Sequence, residues 1–169
     1  NRAGQRFVDE AANYNALGMA LLAFDANAHA YSNLPYFLIF DQRYREKYPV
    51  FGCKPDQPLS EMFTVADTLE SLAAKMHIEA AGLVNTIDRF NEHVRNGRDA
   101  DFNRGANTYD NYWGDPEFDP PYKTLGVIDQ APFYTLVQSI GRIFRTAPKS
   151  VCGPIVRYPP SRQVAVRSR

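Results

Sequence analysis

The chain has 169 residues, enough for one domain with a buried core. Its 44% hydrophobic and 22% charged residues are those of an ordinary globular protein, and no apolar run approaches the roughly 20 residues that span a bilayer. The formal charge of zero hides a division: residues 1–140 carry twelve Lys/Arg against nineteen Asp/Glu, and residues 141–169 carry seven basic residues and no acidic one, a balance that argues against nucleic-acid binding by the first part.

In chain order, Ala3-Gly4 reads as a tight turn followed by a short extended piece. Ala11–Phe24 is rich in helix formers but interrupted by Gly18. The apolar run Leu17–Phe24 has no basic leader, so no signal peptide is expected, and Cys53 and Cys152 fit the reduced thiols of a cytoplasmic protein. Tyr36–Phe40, after Pro35, is a buried strand candidate. Asp41 caps a short basic helix, Gln42–Lys47, that stops before Pro49. Pro49, Gly52, Pro55 and Pro58 mark a loop. Asp67-Thr68-Leu69-Glu70 resembles a capping box, with Asp67 as N-cap and Glu70 at N3, and opens a helix that buries Leu69, Leu72, Ala73 and Met76. Glu79–Asn96 is a second amphipathic helix, with its stripe at Leu83, Ile87, Phe90 and Val94 and a terminating glycine at Gly97. The two helices suggest an αα-hairpin. Residues 99–132 read as a long loop with seven acidic residues and many aromatics, the kind that covers a site or a partner surface. Pro132–Val137 is the second strand candidate.

Several of these landmarks form an ordered series: Gly4-x-Arg6-Phe7-Val8-Asp9-Glu10, Phe37-Leu38-Ile39-Phe40-Asp41, Asp67-Thr68-Leu69-Glu70-x-Leu72-Ala73, Arg89-Phe90-Asn91, Asp101–Gly105 and Ala131-Pro132-Phe133-Tyr134. The series resembles the inserted cap (catalytic) domain of the fumarate reductase/succinate dehydrogenase flavoproteins, and the 3-ketosteroid dehydrogenase branch most. The resemblance covers residues 1–140. It implies an FAD-dependent oxidoreductase in which this domain closes over the substrate. It also implies a separate FAD-binding domain as partner, because none of the ten glycines are two apart and the dinucleotide fingerprint G-x-G-x-x-G is therefore absent. The abrupt start fits removal of the first part of that domain. Residues 141–169, basic and rich in Arg, Pro and Ser, are expected to be non-family sequence, such as a shifted reading frame gives.

The resemblance places a substrate-facing tyrosine at Tyr14, four residues after Glu10. Its phenol would bond a ketone oxygen or exchange a proton while the flavin exchanges a hydride. The alternative is a core or interface tyrosine. Glu10 is a candidate proton relay and Arg6 a candidate cofactor contact, against an ion pair that fixes the domain hinge. In dicarboxylate reductases an arginine of the cap is acid and carboxylate clamp; Arg45 is the candidate here, against a solvated basic helix face shared with Arg43. Ala11-Ala12-Asn13-Tyr14 departs from the dicarboxylate pattern and favours a larger, apolar, steroid-like ketone. In the aromatic loop, Tyr112 and Trp113 would offer flat surfaces to such a ring, or pack on the FAD domain. His29, His77 and His93 lack metal-ligand spacing with one another or with the cysteines, so no metal is expected, and His77 and His93 read as surface residues.

The expected fold is α+β, a small, mostly antiparallel sheet holding the 36–40 and 132–137 strands with helices 68–76 and 79–96 packed on it. The expected function is that of a substrate-capping domain in flavin-dependent dehydrogenation or reduction of a carbon–carbon bond beside a ketone. Two rivals stand beside it: a non-catalytic fragment without FAD, and a helical interaction module.

Overall fold

A computed structural model describes residues 1–112, 114–118 and 123–138; the sequence reading of Trp113 and of residues 141–169 lies outside these. The described residues are α+β, as expected. A short helix α1 (Tyr14–Leu21) leads into a small hairpin of β1 (Phe24–Asp25) and β2 (Ala30–Tyr31). Strand β3 (Tyr36–Asp41) runs directly into α2 (Gln42–Lys47), and β4 (Phe63–Ala66) precedes α3 (Leu69–Met76) and α4 (Ala80–Arg95). After α5 (Thr108–Tyr112) the chain returns as β5 (Phe133–Gln138).

Strand β5 is central, antiparallel to β3 on one side and to β4 on the other. The register opposes Phe40 to Tyr134 and Phe63 to Leu136, which puts these four residues on one face. Val50 and Leu59, from the Pro/Gly-rich loop, cover that face, with the Phe40 and Tyr134 rings stacked at 5.2 Å. The other face carries Phe37, Ile39, Ala66 and Phe133 against Leu69 and Leu72 of α3, Leu83 and Ile87 of α4, and Ile128. A strand covered on both faces needs apolar residues at successive positions, so Tyr36–Phe40 reads as an unbroken apolar run.

The α4 stripe is as expected at Leu83, Ile87 and Phe90, which are buried; Val94 is half-buried. Gly97, at φ +67°, follows the helix end. The α3 cap differs from expectation. Thr68, not Asp67, is the N-cap, and its side chain accepts a 3.1 Å bond from the Ser71 amide. Both residue types cap helices, and the extended backbone at Thr68 decides between them. Strand β4 and the β1–β2 hairpin were not expected, nor was α5 inside the long loop.

Two buried polar side chains hold the 128–130 segment to this framework. Asp41 caps α2 by accepting from the Tyr44 amide at 3.0 Å, and its second oxygen accepts from the amides of Asp129 and Gln130 at 3.0 and 3.1 Å. Asn91 pairs with both backbone groups of Ile128, donating at 2.8 Å and accepting at 2.7 Å. The opening turn docks by backbone contact. A Cβ on Gly4, at φ +70°, would lie 2.2 Å from the Leu83 nitrogen, and one on Gly82 would lie 2.0 Å from the Ala3 oxygen.

Candidate functional site

The docked turn brings Arg6 beneath the end of α4. Its guanidinium makes a two-pronged contact with Glu10, at 2.7 and 2.8 Å, and another with Asp99, at 3.0 and 2.8 Å. The rings of Phe90 and Phe102 lie on it, each centroid 4.9 Å away. Burial works against the Arg6 charge, but the two carboxylates outweigh it and raise the guanidinium pKa. The same balance acts on Asp99, which is fully buried. Burial pushes its carboxyl up; Arg6 and the amides of Arg104 and Asp101 outweigh it and hold the group well below the usual carboxylate range. Arg104 adds a 3.1 Å ion pair to Glu10.

Arg6 and Glu10 are thus brought together, four residues apart, with their hydrogen-bonding groups directed to internal partners. Tyr14 begins α1 one turn beyond Glu10 and is 81% exposed. Asn13, as N-cap, accepts from the Ala16 amide at 3.0 Å and so sets where that helix starts. No residue of α1 is buried. Met19, Leu22, Phe24 and Tyr31 stand exposed on the helix and the hairpin, and the Phe24 and Tyr31 rings meet edge to face at 5.4 Å. Between Arg6 and Arg43 the sequence has no Lys or Arg. Helix α1 and the hairpin therefore carry no Lys or Arg of their own and expose several apolar side chains, a surface of the sort that meets a partner or ligand.

Arg45 lies elsewhere. Its position on α2 is not a solvated basic face: the side chain is buried, donates to the Gln57 carbonyl, and leaves Nη1 without a partner among the described residues. The sequence signal was misleading because α2 is short, and the loop after Pro49 folds back over it. Arg43 is the solvated member of the pair, bonded to Asp129 at 2.8 Å. Among the described residues no hydrogen bond or ion pair joins Arg45 to Glu10 or Tyr14. Tyr112 is on α5 and largely exposed.

His93 also departs from expectation. It is buried, with Nδ1 3.3 Å from Asp99 and 3.8 Å from Asp101. These three side chains have ligand atoms within 4.8 Å of one another, a grouping invisible when only His and Cys spacings are compared. Arg6 on Asp99 and Arg89 on Asp101 already supply the opposing charge. His77 is exposed, at the left-handed C-cap of α3. A cleft of about 500 Å³ lies beside it, lined by Arg2, Pro35, Phe37, Lys75 and Met76.

One face of the sheet is packed on helices and the other lies under a loop, while α1 and its hairpin stay exposed. No protein-family model matches the chain. Individual proteins do. The chain is 41% identical over 136 residues to 4-oxocyclohexanecarboxylate 2-dehydrogenase of Sinomonas cyclohexanicum, a match that takes in 80% of this chain and 24% of that protein. It is 37% identical over 151 residues to 3-oxosteroid 1-dehydrogenase of Mycolicibacterium smegmatis, covering 79% of this chain and 25% of the relative. Among solved structures, 3-ketosteroid Δ1-dehydrogenase of Sterolibacterium denitrificans, in complex with 1,4-androstadiene-3,17-dione, superposes with a TM-score of 0.72 at 34% identity over 81% of this chain and 25% of that one. A flavocytochrome c3 fumarate reductase shares the fold, with a TM-score of 0.55. The chain spans about a quarter of the length of the curated relatives it matches. It belongs to the fumarate reductase/3-ketosteroid dehydrogenase family of flavoproteins, and the part present is that family's cap domain.

Proposed function

We propose that the chain forms the substrate-covering half of a flavin-dependent dehydrogenase that acts on a carbon–carbon bond beside a ring ketone. The observation that carries this reading is the placement of Tyr14, exposed, at the head of a helix with no fully buried residue among those described. A buried phenol has internal partners to explain it; one held at a helix start on an open surface is available to a second body. The two curated relatives named above are, by name, dehydrogenases of a 3-oxosteroid and of 4-oxocyclohexanecarboxylate, and a cyclic ketone is the chemistry these two share.

FAD, held by a separate domain, would supply the hydride chemistry. The described residues fit a covering role toward it rather than a binding one, since the glycine spacing of a pyrophosphate loop is absent from the sequence. On this reading Tyr14 bonds the substrate or holds the proton that moves with the hydride, and Tyr112 lies against the ring system. The apolar surface of α1 and the hairpin excludes water when the halves close. The Arg6–Glu10 pair fixes the segment that presents Tyr14, while Arg45 braces α2.

The test is a chimera in which residues 1–138 replace the matching segment of the Mycolicibacterium smegmatis enzyme, assayed with a dye acceptor on a 3-oxosteroid and on 4-oxocyclohexanecarboxylate. The chimera is expected to turn over at least one of them. Tyr14→Phe should then lower kcat by about 10²-fold or more with little change in KM, the size of effect a positioned proton-transfer group contributes. An active chimera indifferent to Tyr14→Phe would remove Tyr14 from the chemistry.

A further inference from the structure

A small cavity of about 280 Å³ has a carboxylate on each side. It lies between the Asp9–Asn13 segment and the turn into α5, and is lined by Asp9, Ala12, Asn13, Asn107, Tyr109 and Asp110. Asp110 is completely buried. Its Oδ2 accepts from the Gly105 amide at 3.0 Å and from the Asn107 side-chain amide at 2.8 Å. Its Oδ1 is closed to solvent and receives no N–H or O–H from the described residues. Leaving a buried acceptor unanswered costs about 1–3 kcal/mol, more if it is charged, so the group opposite matters. That group is Asp9, whose carboxyl lies within hydrogen-bonding reach of Asp110 and whose Oδ1 accepts from the Ala11 amide at 2.8 Å. Two ionised carboxylates in such contact repel; one proton between them makes a short, charge-assisted O–H···O bond.

We propose that Asp9 and Asp110 share one proton, and that the pair is a clasp, closed on protonation and opened as pH rises, fixing the start of α1, and with it Tyr14, on the turn into α5. Asp9 carries the proton and donates it to Asp110 Oδ1, the oxygen of that carboxylate left without an N–H. The surroundings agree. Burial, and then the Asp110 charge, push the Asp9 carboxyl up, and outweigh the opposing Ala11 amide and Arg104. Of the charged groups facing the pair, Arg104 is bonded to Glu10, and Tyr109 lines the cavity.

The clasp matters because α1 has no buried side chain to hold it. Its far end is tied to the hairpin, where the Asn33 side chain donates to the Ala20 carbonyl at 2.8 Å and the Ser32 amide to the Ala23 carbonyl at 2.9 Å. Its near end depends on the Asp9 segment, where the Ala12 amide bonds the Asp9 carbonyl at 3.2 Å and Asn13 caps the helix. The inference rests on these residues alone and is independent of the flavin reading.

For a carboxyl raised in the folded state, the clasp is complete below the ordinary aspartate value of 3.8 and is lost as pH rises through the raised value. Hydrogen exchange of the 169-residue chain across that window, corrected for intrinsic rates, tests it. Protection of the α1 amides, taken relative to the α4 amides that report global stability, should fall about tenfold for each unit by which the carboxyl is raised. Asp9→Asn donates an N–H to the same oxygen without titrating, and should keep α1 protected at every pH. Asp9→Ala should leave it unprotected at every pH. Equal behaviour of the Asn and Ala variants overturns the proposal, as does a wild-type profile without the pH step. Carboxyl ¹³C titration gives an independent reading: one of the two aspartates should titrate above the ordinary range and lose that step in Asp9→Asn, and two ordinary, independent titrations would refute it.

Discussion

Asp99 remains charged although it is fully buried, because Arg6 meets it with two N–H groups and two backbone amides complete its coordination. Its carboxyl is held down, so the sign of its pH effect is opposite to that of Asp9. A depressed folded value contributes stability above the ordinary aspartate value of 3.8, and that contribution is lost as pH falls through the lower, folded one. Urea unfolding of the chain from about pH 5 to about pH 2.5, either side of that ordinary value, should show stability falling on acidification. Asp99→Asn should remove most of that slope and cost up to about 3–5 kcal/mol at neutral pH, since Arg6 would lose its buried counter-charge and keep only the part-exposed Glu10. An unchanged acid slope in Asp99→Asn would show that another carboxylate dominates. No spacing rule points to this pair, because 93 residues separate its members. The opening motif made Arg6 and Glu10 visible; only the fold adds Asp99.

At the scale of elements, the opening turn and α4 are fitted together through two glycines whose missing side chains let the backbones touch. Adding one methyl at Gly82 places a Cβ against the Ala3 carbonyl, where only backbone movement relieves it. Gly82→Ala improves intrinsic helix propensity by up to about 1 kcal/mol. The overpacking should prevail and leave the chain about 1–3 kcal/mol less stable in denaturant, with the Arg6 contacts loosened. A more stable variant would show that this contact is slack. The elements legible in the sequence were those with a strong repeated signal: α4 from its stripe, β3 and β5 from apolar runs buried on both faces. Strand β4 escaped because Phe63–Ala66 has four residues, one of them Thr64, and takes its definition from pairing with β5. Helix α5 escaped because Thr108–Tyr112 is rich in poor helix formers and is held by Asn107, whose side chain accepts from the Asp110 amide at 2.9 Å. Arg45 misled for a related reason: its neighbours in sequence are exposed, and the loop that buries it comes later in the chain.

For the whole molecule, what holds the domain together is separable from the surface it offers. The two sheet faces, the Asp41 and Asn91 clasps and the Arg6 cluster stabilise the domain without help from α1. Met19 makes the difference measurable, being 78% exposed on a helix with no buried residue. Met19→Lys should change the stability of the isolated chain by no more than about 0.5 kcal/mol, as for an ordinary surface position. In the chimera with a flavin domain, the same change places an ammonium on a surface that must lose its water when the halves close. Its desolvation should raise KM or lower turnover at least tenfold, a penalty of about 1.4 kcal/mol. An equally active Met19→Lys chimera would show that α1 stays in solvent, and the covering surface would then have to be sought on the α5 side, at Tyr112. A large loss of stability in the isolated chain would instead show that α1 packs on the domain, and Tyr14 would lose the exposure on which its proposed role depends.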